Sequence, residues 1–171
     1  KGCVEFRTQL YFLKSQRTLT TSDNGEEPAY WPVNGVDDAV GTETHGIAAI
    51  LDAKGVSNDF FFVADRAGFK LFNGAYDPWE LSRKIEDLWK RINKAYFSTI
   101  EVAADPLNKC FYIAVPLDAA TAPSHVLVCD YTGGLAWDAC KWTTWVFPHA
   151  PNTIVVDVDD TTKLPVFKFG S

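Results

Sequence analysis

Apolar and polar positions along the chain follow two rhythms, and the shorter one dominates. Apolar and β-branched residues interleave with polar ones from Val4 to Gln16 and again from Arg17 to Thr21, which predicts two strands. Ser22 to Pro28 reads as a turn, Ala29 to Val33 as a short edge strand limited by its prolines, and Asn34 to Thr44 as loop. Strands follow at Ile47 to Leu51, Phe60 to Ala64 and Phe69 to Phe72, with turns at Asp52 to Gly55, Asp65 to Gly68 and Asn73-Gly74. Phe60 to Ala64 is apolar at every position, the pattern of a strand covered on both faces.

The longer rhythm occurs once, between Ser82 and Asn93. Ile85, Leu88, Trp89 and Ile92 recur at helical spacing, while Arg83, Lys84, Asp87, Arg91 and Lys94 fall on polar faces. Ser82 is the expected N-cap, although Ile85 stands where a capping box needs Glu or Gln. A helix of about three turns is marginal alone, so its apolar face needs a sheet beneath it. It reads either as a packed connector or as an interface helix.

Short strands then resume. Ser98 to Ala103 and Lys109 to Val115 flank Asp105-Pro106-Leu107-Asn108, a turn in which Asn108 suits the left-handed position. Pro116 to Ser124 is loop. Val126 to Asp130, Gly134 to Trp137 and Trp142 to Phe147 predict a three-stranded meander, and Ile154 to Val158 with Leu164 to Phe169 a last hairpin. About a dozen strands at meander spacing with one helix, at about residues 83–93, make a mostly β fold of antiparallel meanders in β-propeller-like blades, in one domain spanning 1–171. An internal echo supports blades: Asp65-x-x-Gly68-x-x-x-Phe72-Asn73 and Asp130-x-x-Gly133-x-x-x-Trp137-Asp138 share one register. Two ordinary hairpins of similar turn type are the alternative.

Composition narrows the function classes. Six Trp and twelve Phe in 171 residues favour β-rich packing. With 22 acidic against 16 basic residues the net charge is −6, which disfavours a general grip on nucleic acid. No apolar run approaches the length of a membrane span, and the N-terminal residues lack a signal-peptide pattern. The chain opens on Lys1 and contains no Met, so a fragment of a longer polypeptide is expected. Cys3, Cys110, Cys129 and Cys140 show no C-x-x-C; reduced, mostly buried thiols and a Cys129–Cys140 bridge are the two readings.

Candidate chemistry is sparse. His45, His125 and His149 lie far apart and outside metal-ligand spacing. Asp157-x-Asp159-Asp160 lacks the Gly and distal Glu of a calcium loop. Asp37, Asp38, Glu43, Glu101 and Asp105 offer carboxylates for glycosidase work, but none is distinguished as a pair. No nucleophile elbow, P-loop or dinucleotide fingerprint occurs. The expectation is a protein without catalytic residues, cofactor or metal. The candidate ligand or interface aromatics are Trp137, Trp142 and Trp145; alternation along 142–147 sends Trp142 and Trp145 to opposite faces, which favours core packing over a flat sugar platform.

Two resemblances bear on these residues. Thr21-x-Asp23-x-Gly25 with a later Trp31 is similar to part of the Asp-box hairpin of sialidase-like propellers, with Pro28 where the motif has its tryptophan. More of the chain is covered by the second: Phe60-Phe61-Phe62-Val63-Ala64-Asp65-Arg66-Ala67-Gly68-Phe69-Lys70-Leu71-Phe72-Asn73-Gly74; Leu81 to Ile85 with Leu88 to Asn93; Ala104-Asp105-Pro106; Tyr112 to Leu117; Val126 to Tyr131; and Trp142-Thr143-Thr144-Trp145. In that order these pieces resemble the β-propeller segment of tailed-phage tail-nozzle and packaged-DNA-stabilising proteins. The resemblance spans roughly 60–145 and consists of short pieces. It implies a virion structural protein, assembled in the host cytoplasm as a homo-oligomeric ring with portal-adaptor and other tail proteins. DNA would pass its channel without sequence-specific contact. At about forty to forty-five residues per blade the chain holds about three, so a closed wheel needs more chain. A carbohydrate- or receptor-binding propeller, lectin- or glycosidase-like, is the alternative function; a cellular interaction scaffold is a third.

Overall fold

Side chains on a β-strand alternate between faces, and here that alternation decides where three cores lie. The structure is a computed structural model that describes residues 2–44, 47–51, 58–147, 149–162 and 164–170. Among these, thirteen strands form four antiparallel sheets in chain order. Sheet one contains β1 (Gly2–Phe6), β2 (Gln9–Lys14), β3 (Arg17–Thr21) and β4 (Val33–Asp37). Sheet two contains β5 (Ile47–Leu51), β6 (Asn58–Ala64) and β7 (Phe69–Phe72). Sheet three contains β8 (Glu101–Asp105), β9 (Cys110–Val115), β10 (His125–Asp130) and β11 (Lys141–Val146). A hairpin of β12 (Thr153–Val158) and β13 (Pro165–Gly170) is sheet four.

Each sheet is a meander, and the first strands of successive sheets meet: β1 lies against β5, β5 against β8, and β8 against β12. That is how propeller blades stack around an axis. The fold is therefore mostly β and antiparallel, as the alternation predicts, with four sheets stacked face to face that, among the described residues, do not close into a ring.

Both faces of the middle sheets are buried. On β6, Phe61 and Val63 join Phe6, Tyr11, Leu13 and Phe72 against sheet one. Phe62 and Ala64 point the other way, onto Phe111, Ile113 and Leu127 of sheet three. The pattern repeats on β9, whose Tyr112 and Ala114 face Ile154, Val156 and Phe167 of sheet four. Phe62 sits 3.9 Å from the Phe111 ring and 5.6 Å from Phe69.

The predicted helix is the main departure. Leu81–Ile85 is a 3₁₀ turn, α1 is only Glu86–Lys90, and Lys94–Thr99 is 3₁₀ again. Ile85 breaks the run at φ −116° and ψ 27°. Past α1 the backbone is drawn into pairing with the 116–118 segment, where Asn93 N–H donates to Pro116 and Asp118 N–H to Arg91. Ser82 is no N-cap: its buried hydroxyl accepts from Phe69 N–H. The apolar face holds even so, with Trp89 and Ile92 buried and Ile85 and Leu88 packed against the same core.

Other boundaries move for local reasons. Val4 to Gln16 is two strands, because Arg7 and Thr8 take positive φ (49° and 65°) in a tight turn that lacks Gly or Asn. Pro28–Tyr30 is a 3₁₀ turn, so the edge strand predicted at 29–33 begins at Val33 and runs into the predicted loop. Ser98 to Thr99 belongs to the 3₁₀ segment, and β8 begins at Glu101. In the Asp105 turn the left-handed residue is Lys109 (φ 53°), because Asn108 is held by Asp105, which accepts from both its backbone N–H and its Nδ2. Gly134 to Trp137 forms no strand; Gly134 takes φ 128° and Ala139 and Cys140 N–H both donate to Ala136. The echo survives at its acids, Asp65 accepting from Ala67 N–H and Asp130 from Thr132 N–H, and ends in the longer second loop. The turn expected at Asp52 to Gly55 lies outside the described residues.

All four cysteines are free thiols. Cys129 and Cys140 are buried together, and the hydrogen bond between them, added to burial, holds the Cys129 thiol well above its usual range. Two outcomes are expected. A chromogenic thiol reagent labels exposed Cys3 in the native protein and reaches Cys129 and Cys140 only in denaturant. Phe62→Ala lowers unfolding free energy by about 3–5 kcal/mol in urea titration, because it empties a site walled by Phe69 and Phe111.

Candidate functional site

The three sequence-nominated tryptophans do not come together. Trp142 packs into the core between sheets two and three and donates from Nε1 to Leu81 O at 3.1 Å. Trp145 projects from the opposite face of β11, against Tyr112 at 5.4 Å and Phe167 at 5.8 Å. Period-two alternation separates them, so they form no common platform. Trp137 lies in the loop before β11, and its ring carries the Arg83 guanidinium at 4.9 Å.

That contact leads to residues that periodicity does not single out. Trp79 follows Asp77-Pro78 in the connection from β7, is 52% exposed, and holds the same guanidinium 3.9 Å from its ring centroid. Arg83 is thus held by two indoles from different parts of the chain. The available signal was Trp79 and Arg83 at a spacing of four, beside a proline-limited turn.

Beside the Trp79–Arg83 contact is a pocket of about 270 Å³ lined by Ala67, Trp79, Glu80, Ser82, Arg83 and Glu86. Gly68 makes room for its wall: a Cβ there would fall 2.6 Å from Glu80 Cβ and 2.8 Å from Ser82 Oγ. Lys70 Nζ donates to Glu80 Oε1 at 2.9 Å, and Lys90 meets Glu86 at 2.6 Å. The loop beyond is tied down by Lys84, which donates to the carbonyls of Asp138 and Cys140. Below it, the buried Trp89 donates from Nε1 to Asp65 O at 3.2 Å. Burial pushes the Asp65 carboxyl above its usual range despite N–H donors from Ala67 and Gly41.

The remaining polar candidates are engaged in turns and ion pairs. Asp38 pairs with Arg17, Glu43 takes Arg66 through two hydrogen bonds, and Asp37 accepts from Ala39 and Val40 N–H. Asp157 pairs with Lys168, while Asp159 accepts from Thr161 and Thr162. His125 shares a hydrogen bond with Ser124, His149 is exposed, and His45 lies outside the described residues. Among the described residues no group of three or more His, Cys, Asp or Glu is placed to hold a metal ion. No described helix is long and apolar enough to cross a membrane. No protein-family model matches the chain, and no curated protein matches it at a significant level.

Glu80 supplies a pH test of the pocket. Burial acts to raise its pKa, but the Lys70 hydrogen bond and nearby cations leave it lowered. A carboxylate lowered on folding contributes stability above its unfolded pKa and loses it as pH falls through the folded one. Glu80→Gln is therefore expected to cost about 1 kcal/mol at pH 7. In urea titrations the difference from the parent protein closes as the pH is taken below the carboxylate range.

Proposed function

We propose that the protein is a structural component of a tailed-phage virion, a wheel segment of the tail or head-closure channel that assembles as a ring and passes DNA without reading its sequence. The observation that carries this reading is the stack itself, in which the first strands of four successive meanders meet and the middle sheets are buried on both faces. The sequence resemblance to tail-nozzle and packaged-DNA-stabilising proteins agrees with it in the Phe60 to Asn73 hairpin and in the Trp89 segment. A part of this kind works by shape and by contact.

Charge fits the role. At −6 overall, acidic groups facing a channel repel phosphates and keep DNA mobile. The ring's contacts would be made by exposed apolar residues, such as Phe169 on β13 at 48% and, on the outer face of sheet one, Phe12 at 36% and Val33 at 62%.

Light scattering and negative-stain imaging test the proposal. A ring-shaped homo-oligomer, joined by no retained DNA in a mobility-shift assay at physiological salt, is the expected result. A strictly monomeric particle over the micromolar range, or saturable sequence-specific DNA binding, would overturn it.

A further inference from the structure

We propose that the pocket lined by Trp79 and Arg83 is a binding site for a carboxylated sugar ring of the uronic-acid class, a function separate from the virion role. Arg83 carries the argument. Two indole rings, at 3.9 and 4.9 Å, hold its guanidinium, yet among the described residues no carboxylate or carbonyl accepts a hydrogen bond from it. Both carboxylates lining the pocket already have a lysine, Glu80 with Lys70 and Glu86 with Lys90. Arg83 is exposed and lies within electrostatic reach of Glu80, and the N–H groups it presents at the pocket form a planar fork that suits a carboxylate.

The rest of the lining chooses among anions. Glu80 and Glu86 on the wall disfavour a dianion such as phosphate, while their remaining oxygens accept hydroxyl donors. Half-exposed Trp79 offers the part of its indole that Arg83 leaves uncovered to the apolar C–H face of a ring. A volume of about 270 Å³ is just below the range of drug-sized ligand sites, which suits one ring rather than an extended chain. One carboxylate, several hydroxyls and one apolar face together describe an acidic monosaccharide unit.

The test is titration of the intact chain with glucuronate, followed by tryptophan fluorescence and by indole N–H shifts in NMR. Saturation at millimolar concentration is expected, with glucose at least about tenfold weaker because it lacks the charge-assisted contact. Arg83→Lys keeps the charge but loses the fork, so binding falls by about tenfold while the thermal midpoint stays within a degree or two; Trp79→Ala abolishes the fluorescence response. Equal affinity for glucose, competition by inorganic phosphate at matched concentration, or unchanged glucuronate binding in Arg83→Lys would each overturn the assignment. So would the absence of any saturable shift in the parent protein.

Discussion

Burial of both faces of the middle sheets is the constraint on which the rest of the structure depends. A strand that carries aromatics on one face needs one partner layer; β6 carries Phe61 on one face and Phe62 on the other, and both are fully buried. Neither sheet one nor sheet three alone could shield them. β6 therefore requires the stack, and the stack in turn fixes chain order, since each meander must deliver its first strand beside the previous one. Fully burying a side chain of this size is worth about 1.5–3 kcal/mol. Phe61 stacks on Phe72 in one core, while Phe62, Phe69 and Phe111 share ring contacts in the other, so each face of β6 has its own aromatic set.

The helical segment obeys the same constraint. Its residues reach the core by three short turns of different pitch, because the wedge between sheets two and three is filled by Leu81, Trp89, Ile92, Phe97 and Ile100, a spread longer than one regular helix face would supply. Backbone groups that a continuous helix would pair internally are taken by the Leu117 bridge. Packing of the apolar face outweighs helix propensity, which at this length is weak.

This explains which parts of the fold were legible in the sequence. Where burial is the cause, as for β7, β9 and the Phe60 to Ala64 run, residue pattern and observed strand agree closely, since the pattern is the record of the two faces. Boundaries set by side-chain hydrogen bonds were not legible: Phe69 N–H claims the Ser82 hydroxyl from thirteen positions away, and within one turn Asp105 claims Asn108. The Arg7-Thr8 turn was hidden for another reason, because positive φ there occurs without glycine or asparagine. Among the tryptophans, alternation separated Trp142 from Trp145, but nothing local to Trp137 marks its partnership with Arg83, a contact made across more than fifty positions of sequence.

The same distinction accounts for where the pocket lies. The sheets have little freedom to offer chemistry, since a substitution on β6 or β9 alters one of two cores. The connections at the rim are less constrained, and loops held by a rigid scaffold are where recognition is usually placed. Here the connection carrying Trp79 and Arg83 and the loop carrying Trp137 come from consecutive sheets, and Lys84, donating to Asp138 and Cys140, locks one to the other. The guanidinium is consequently positioned by the stack without being consumed by it. A side chain that existed only to join the two loops would be expected to spend its hydrogen bonds on them, as Lys84 does. Arg83 gives the neighbouring loop a ring contact only, and among the described residues none accepts a hydrogen bond from it.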